Sequence, residues 1–461
     1  MSSSTAEALS LIRERAPVAG AWLVGGSVRD LLLDRPVLDI DLVVTGDPRA
    51  VARTLAASTG GSPFPLSERH GAWRVVSGAD TIDVAACRGS IEQDMAQRDF
   101  TVNAIAIALD DGAVVDPCSG RDDLELRILR AVSDTAFADD PLRLLRLPRI
   151  ALELGFEVDP ATEALARGQA GLADRPSGER IFMEMRRMLC GQRPAESLRL
   201  TERLGVLEVV LPEMAPLRGC TQSGYHQLDV WEHTLHVVEG VAEIADHPAH
   251  YLPGHAAMVA EELGRTVGDE LTAGQVLRLA ALFHDIRKPQ TRTERDGRIS
   301  FVGHDRQGAE TAAAVLARWK ASNAVIGFCK AMVLEHLVLG FAIPHRPLDR
   351  RRAYRYLRAT RPWPVSSVVL SLADRLATRG PRSRLRHLRR HTETAEELLG
   401  LIAGLEAELE PPLLRGDEIA SEASVSGAEI GRLVDLLAEE QAAGDVTTRE
   451  EAIAFVREQV R

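Results

Sequence analysis

Over the first 130 residues short strand-like runs alternate with helical ones. AWLV (21–24), DIDLVV (39–44), WRVV (73–76), TIDVAA (81–86) and AIAIAL (104–109) are brief and rich in β-forming residues, and turn residues separate them. DPRAVARTLAAST (47–59) instead carries the helical period. This alternation predicts an α/β head with a mixed sheet, ending near Arg130. From Pro141 onward the helical period dominates, broken by ELGFEVDP, ADRPSGER and LPEMAPLRG. LEPPLLRG reads as a hinge before the last helices. With 461 residues the chain exceeds one ordinary core. The predicted division is a head over 1–130, a helical neck and body over 131–225, a second helical domain over 226–380 and a helical tail over 381–461.

Composition narrows the class. Hydrophobic content of 45% and charged content of 26% are those of a globular protein. The first twenty residues lack a continuous apolar core and no run of eighteen apolar residues occurs, so neither a leader nor a membrane span is expected. Five scattered cysteines without CxxC spacing argue against a disulfide framework and a zinc ribbon, and point to a reducing cytoplasm. The net charge of −12 is uneven: between Phe341 and His391 fourteen Arg stand against Asp349 and Asp374 alone, leaving about −24 elsewhere. That stretch reads either as a face for RNA or as solvated helix surfaces.

The densest chemistry lies in LVGGSVRDLLLDRPVLDIDLVV, residues 23–44. A strand running into Gly25-Gly26 lets the backbone approach a triphosphate, and Arg29 can grip a phosphate with two donors. Asp39 and Asp41 bracket Ile40, so on a strand both carboxylates share a face while Ile40 points inward. Such a pair suits Mg²⁺ shared with substrate phosphates. Asp83 in TIDVAA is a third carboxylate, either near the metals or facing water on an edge strand.

GGSVRD followed by DIDLVV resembles the signature of the class II tRNA nucleotidyltransferases and related bacterial poly(A) polymerases, within the DNA polymerase beta superfamily. Further segments are similar in order. In RDFTVNAIAI (98–107) the resemblance implies that Arg98, Asp99 and Asn103 contact the phosphates and ribose of the incoming nucleotide. DPCSGRDDL matches through Asp116, Gly120 and Asp123, implied to link head and neck. DDPLRLLR (139–146) corresponds to the nucleotide-selecting helix. Asp140 and Arg143, three apart on one predicted helix face, are implied to read the Watson–Crick edge of CTP and ATP, with Arg146 also in the nucleotide site. SGERIFMEM adds Glu179 and Arg180 with a structural role. The chain departs from the family pattern at Gln97, where an Arg is usual, and at Asp139, where a Glu is usual. Pro148 predicts a kink in the selecting helix. Only CRGSIEQDMAQ separates TIDVAA from RDF, where members that add the whole CCA carry a longer flexible loop.

Later, YHQLDVWEHTLHVVEGV (225–241) precedes LRLAALFHDIRKP (277–289). His233, adjacent His284 and Asp285, and Asp374 in LSLADRL resemble the ligand pattern of HD-domain phosphohydrolases, and His304 and His336 are further candidate ligands. Imidazole and carboxylate donors suit a transition metal or Mg²⁺. Arg287 stands where a Gly is usual.

The resemblance therefore implies a cytoplasmic, template-independent enzyme. It adds CCA, or CC alone, to the 3′ end of tRNA from CTP and ATP and releases pyrophosphate. If it adds CC alone, a separate A-adding enzyme completes the tRNA. A poly(A) polymerase, or a phosphohydrolase acting mainly through the HD site, are the alternatives.

Overall fold

A computed structural model describes residues 3–37, 39–67, 71–78, 80–378, 380, 384–407 and 411–460. The chain forms two compact units, Met1–Ser177 with Arg199–Val210, and Gly178–Leu198 with Leu211–Arg461.

The first unit is built on a sheet of seven described strands: β1 (Ala21–Val24), β2 (Asp39–Val44), β3 (Ser62–Ser67), β4 (Ala72–Ser77), β5 (Asp80–Ala86), β6 (Ala106–Ala108) and β7 (Val114–Val115). Their order is β3-β4-β5-β2-β1-β6-β7. β2 and β5 run parallel, whereas β1 is antiparallel to both β2 and β6, so the sheet is mixed as its pattern predicts. β3 and β7 escape the sequence pattern. β3 (SPFPLS) holds two prolines and leaves Phe64 and Leu66 exposed, which only an edge strand tolerates. Helix α1 spans Ser3–Arg15 and α2 spans Gly26–Leu32. Helix α3 (Pro48–Thr59) opens on Asp47, whose side chain accepts from Arg49 N, and closes on a left-handed Gly60. Leu23, Ile40, Leu42, Ile82 and Val84 have essentially no exposed surface and form the centre of this unit.

Three short helices complete the surroundings of the site: α4 (Ile91–Met95), α5 (Gly120–Leu126) and α6 (Ala136–Asp139). Helix α7 (Arg143–Leu154) follows and runs through Pro148 as one element. One expectation fails here. Asp140 and Arg143 do not share a helix face, because Asp140 is extended (φ −142°, ψ 98°) at the end of α6 and α7 begins three residues later. Pro141 is the reason: its ring disfavours helical geometry in the residue before it.

The second unit is mainly helical. Ala273–Phe283 is buried at every position but Gln275 and is opened by a reciprocal cap between Thr272 and Gln275. Around it lie the helices Val230–Asp246, His304–Arg318, Asn323–Glu335 and Pro364–Ala377. Two small antiparallel ribbons interrupt the expected all-helical pattern, 266–268 with 271–272 and 293–295 with 298–300. The second turns on Asp296-Gly297, a pair suited to tight hairpins. The stretch Asn323–His345 is long and apolar enough to cross a membrane by composition. Val325, Phe328, Cys329, Met332 and Val333 are nevertheless buried in this unit, and its His336 turns toward a cluster of polar side chains. The last three helices close a small core of their own around Ile419, Leu433, Leu437 and Val456.

The basic stretch is partly accounted for by ion pairs inside this unit. Arg351 pairs with Glu440 and Asp445, Arg355 with Glu439 (2.6 Å) and Arg358 with Asp435 (2.9 Å), all toward the helix Ala428–Ala443 or the turn after it. Those arginines are paired with carboxylates of this unit while their side chains stay partly exposed. Arg379 and Arg382, and Leu409 and Glu410 of the hinge, lie outside the described residues.

Candidate active site and metal centre

The head site grows from the turn between β1 and α2. Gly25 has φ 67° and ψ −138°, a conformation that side chains resist, and a Cβ there would sit 3.4 Å from Asp41 Oδ2 and 3.5 Å from Arg98 Nη1. The turn is stitched to β2 by Ser27, whose Oγ donates to Asp39 O (2.9 Å) and accepts from Asp41 N (2.8 Å). Asp39 and Asp41 alternate with fully buried Ile40. In the parallel register Asp41 lies beside Asp83. β5 is flanked by β4 and β2, so Asp83 is on an interior strand and the edge-strand expectation is corrected. Only strand pairing could reveal that, because β4 and β5 are separate sequence runs.

Three carboxylates thus converge with limited compensation. Burial, then Asp83 and Asp39, push the Asp41 carboxyl up to about 6, against opposing help from Arg98 and Ser27. Arg74, which the sequence pattern did not single out, holds Asp83 through two hydrogen bonds of 2.7 and 2.8 Å. Its role is visible only because Arg74 and Asp83 are register partners across β4 and β5. A half-buried carboxylate held above its ordinary range by desolvation and by neighbouring carboxylates is what a hard divalent cation relieves, so this donor set fits Mg²⁺.

Around the carboxylates runs a chain of polar contacts. Arg29 is buried, donates to Asp30 with two nitrogens at 3.0 Å and reaches Asn103 Oδ1 at 3.1 Å. Asn103 Nδ2 donates to Asp99 (3.0 Å), and Asp99 accepts from Arg146 at 2.8 and 2.5 Å. Burial alone would raise the Asp99 carboxyl, but Arg146, Asn103 and the Phe100 amide hold it well below the usual range. Arg98 grips buried Asp94 at 3.0 Å, and Asp94 also holds the Arg88 amide and guanidinium. The connector Cys87–Gln97 is therefore a folded segment around α4, with a Ser90/Gln93 cap. Arg143 donates to Gln97 O (2.7 Å) at its end and to Ala136 O (3.0 Å). Outside this cluster, Asp116 accepts from the Gly120 amide (2.7 Å) and Asp123 from Thr101 (2.6 Å) and Arg130.

The second unit gathers all six residues singled out for it. His233 comes from the helix Val230–Asp246, while His284 and Asp285 follow directly on Ala273–Phe283. His304 opens the helix His304–Arg318, His336 ends Asn323–Glu335, and Asp374 lies in Pro364–Ala377. His233 Nε2 is 3.0 Å from Asp374 and His284 Nε2 is 3.1 Å from Asp285. Ion-pair distance is not hydrogen bonding here: both ring nitrogens of His233, His284 Nε2 and both Asp285 oxygens are buried without hydrogen-bond geometry. Such orphaned donor atoms fit a metal ion. Lys288, which the sequence pattern did not single out, reaches Asp285 Oδ2 at 2.6 Å and donates to Gln222 at 2.8 Å. Asp285 is held well below the carboxylate range: burial opposes ionisation, but His284 and Lys288 outweigh it. A cavity of about 560 Å³ opens on this cluster, with Lys288, Arg375 and Arg390 in its wall. Arg287 has φ −104°, so the backbone at that position does not require glycine.

Three family models match successive parts of the chain. The Poly A polymerase head domain matches residues 21–130, the probable RNA- and SrmB-binding site of polymerase A matches 155–217, and the HD domain matches 230–379. The A-adding tRNA nucleotidyltransferase of Deinococcus radiodurans is 36% identical over 459 residues, 97% of this chain and 98% of its own. The CC-adding tRNA nucleotidyltransferase of Thermus thermophilus is 36% identical over 445 residues, 95% and 93% of the two chains. A solved CCA-adding enzyme in complex with ATP shares the fold, with a TM-score of 0.64 at 20% identity over 99% of this chain and 96% of that one. With a mixed-sheet head carrying converged carboxylates, a helical body and an HD centre, and with full-length relatives at this identity, the chain belongs to the tRNA nucleotidyltransferase family.

Proposed function

We propose that the head extends the 3′ end of tRNA with cytidylate from CTP, adding CC or the whole CCA, and that Asp39 and Asp41 hold Mg²⁺ for this reaction in the cytoplasm. The observation that carries this reading is the half-buried Asp41, whose carboxyl is pushed up to about 6 by burial and by Asp83 and Asp39, directly against the Gly25 turn. Bound there, Mg²⁺ supplies activation of the attacking hydroxyl and charge neutralisation on the leaving pyrophosphate. Gly25 leaves room for the triphosphate between Asp41 and Arg98, while Arg29, Arg98 and Asn103 offer donors for phosphate and ribose. Asp99 positions Asn103 and Arg146 through the contacts that bury it. Asp140 and Arg143 read the base, and the folded connector Cys87–Gln97, only eleven residues long, favours CC over the full CCA.

The D. radiodurans relative supports a second reading, addition of A alone. tRNA transcripts ending before CCA, after C and after CC, supplied separately with CTP and ATP, separate the outcomes. C on the first two substrates alone supports CC addition, C followed by A the whole CCA, and A on the CC-ended transcript alone the second reading. No incorporation from either nucleotide refutes the proposal. For the second unit we propose a phosphohydrolase site in which His233, His284, Asp285 and Asp374 hold a divalent metal. The orphaned nitrogens and carboxylate oxygens support it.

A further inference from the structure

Asp94, near the end of α4, is a carboxylate with 1% exposure whose two oxygens hold different partners. Oδ1 accepts from Arg98 Nε (3.1 Å) and Nη2 (3.0 Å), while Oδ2 accepts from the Arg88 amide (3.0 Å) and Arg88 Nε (3.3 Å). Burial opposes its ionisation, but Arg98 and the Arg88 amide outweigh it and hold the carboxyl below its usual range. A buried carboxylate with four such donors is ionised and fixed in place, and it fixes the guanidinium it grips.

The grip leaves one nitrogen over. Arg98 Nη1 takes no part in it and stands 3.5 Å from where a Gly25 Cβ would be, with Asp41 Oδ2 3.4 Å from the same point. Both therefore border the space that the missing Cβ leaves at the turn. An arginine held by nothing samples many rotamers, and this one is attracted to Asp41, whose ionised carboxyl it already favours through space. An ion pair between the two would close that space and turn Nη1 away from any ligand. Among the described residues Asp94 is the only carboxylate that forms an ion pair with Arg98.

We propose that Asp94 is a positioning residue for nucleotide addition: it holds Arg98 off Asp41 and aims Nη1 at the phosphates of the incoming nucleotide. This rests on the proposed nucleotide site of the head, in which Arg98 offers a donor to the triphosphate. Because folding has already ordered the guanidinium, nucleotide binding does not lose that freedom again, and the donor meets its phosphate without rearrangement. The other oxygen of Asp94 ties down the start of the connector at Arg88, a separate contact that a variant can weaken by itself.

The test measures steady-state addition by the full chain, with the nucleotide and the tRNA transcript that the wild type uses. Asp94→Asn keeps the shape and removes the charge; it should raise the nucleotide KM about tenfold, as loss of one charge-assisted hydrogen bond does, and leave the tRNA KM unchanged. Arg98→Ala should raise the nucleotide KM at least as far, and the double variant no further than Arg98→Ala, because Asp94 then has nothing to aim. Arg88→Ala should keep the wild-type nucleotide KM. A wild-type nucleotide KM in Asp94→Asn, or a double variant measurably worse than Arg98→Ala, overturns the proposal. So does a raised nucleotide KM in Arg88→Ala, which would assign Asp94 to the connector instead; that variant changes an exposed side chain and decides the matter even if Asp94→Asn does not fold. A wild type that adds no nucleotide overturns the reading of the head, and this proposal with it.

Discussion

Replacing Asp41 by Asn should abolish nucleotide addition and yet make the head more stable. With its pKa lifted from 3.8 to about 6, the Asp41 carboxyl binds a proton more tightly folded than unfolded. Its ionised form is thus the disfavoured one, and folding stability contributed by this site falls as pH rises between those two values. A shift of about two units corresponds to about 3 kcal/mol, an upper figure because structural relaxation shares the strain. An amide of the same shape removes that charge. In chelator at pH 8 the variant should therefore be more stable by about 2–3 kcal/mol, and near pH 4 the difference should vanish. Hydrogen exchange of peptides from β1, β2 and β5 reads the head separately from the second unit. Slower exchange in the variant at pH 8 but not near pH 4 is expected. Adding Mg²⁺ should narrow the gap by stabilising only the wild type, because an ion bound to the folded state alone stabilises it. A variant that exchanges faster at pH 8, or by a margin independent of pH, would refute the argument that Asp41 is an unrelieved, partly desolvated charge.

Other expectations follow from the same geometry. Gly25→Ala should cost about 1–2 kcal/mol, because it places a Cβ on a left-handed backbone, and should reduce nucleotide incorporation far more than the melting temperature. Arg146→Ala leaves buried Asp99 without its main partner and should destabilise the head by about 2–4 kcal/mol; Asp99→Asn in the same chain should recover part of that loss, and a denaturant titration of the single and double variants measures it. His284→Ala should remove metal-dependent phosphoesterase activity and leave nucleotide addition unchanged, so phosphoesterase activity surviving the change would count against the assignment. Mg²⁺ binding at the head should weaken as pH falls through about 6, where Asp41 takes up its proton; isothermal titration at pH 5.5 and 8 compares the two.

Much of this protein could be read along the chain, because the decisive signals are local. Strand period put Asp39 and Asp41 on one face with Ile40 inward, and the Gly25-Gly26 turn marked where the backbone would meet a ligand. The six candidate ligands of the second unit were legible by residue type and order. Where local signals competed, the stronger was missed: Pro141 had already excluded the shared helix face expected of Asp140 and Arg143. The exposed, proline-bearing β3 gave no alternating pattern to detect.

What only the tertiary structure decided is which charges meet. Arg74 and Asp83 are partners because β4 and β5 pair in one register, and Asp83 stands beside Asp41 because β5 and β2 pair in another. The arginines after Asp349 look like a ligand-binding surface until the helix Ala428–Ala443, about ninety residues later, brings its carboxylates against them. Composition and periodicity specify which face of an element is polar, but electrostatic partners are set by contacts between elements distant in sequence, and Coulomb energy depends on those distances alone. For the same reason His304 and His336 are candidate ligands along the chain, whereas their meeting beside Asp285 needs two helix ends folded onto one point.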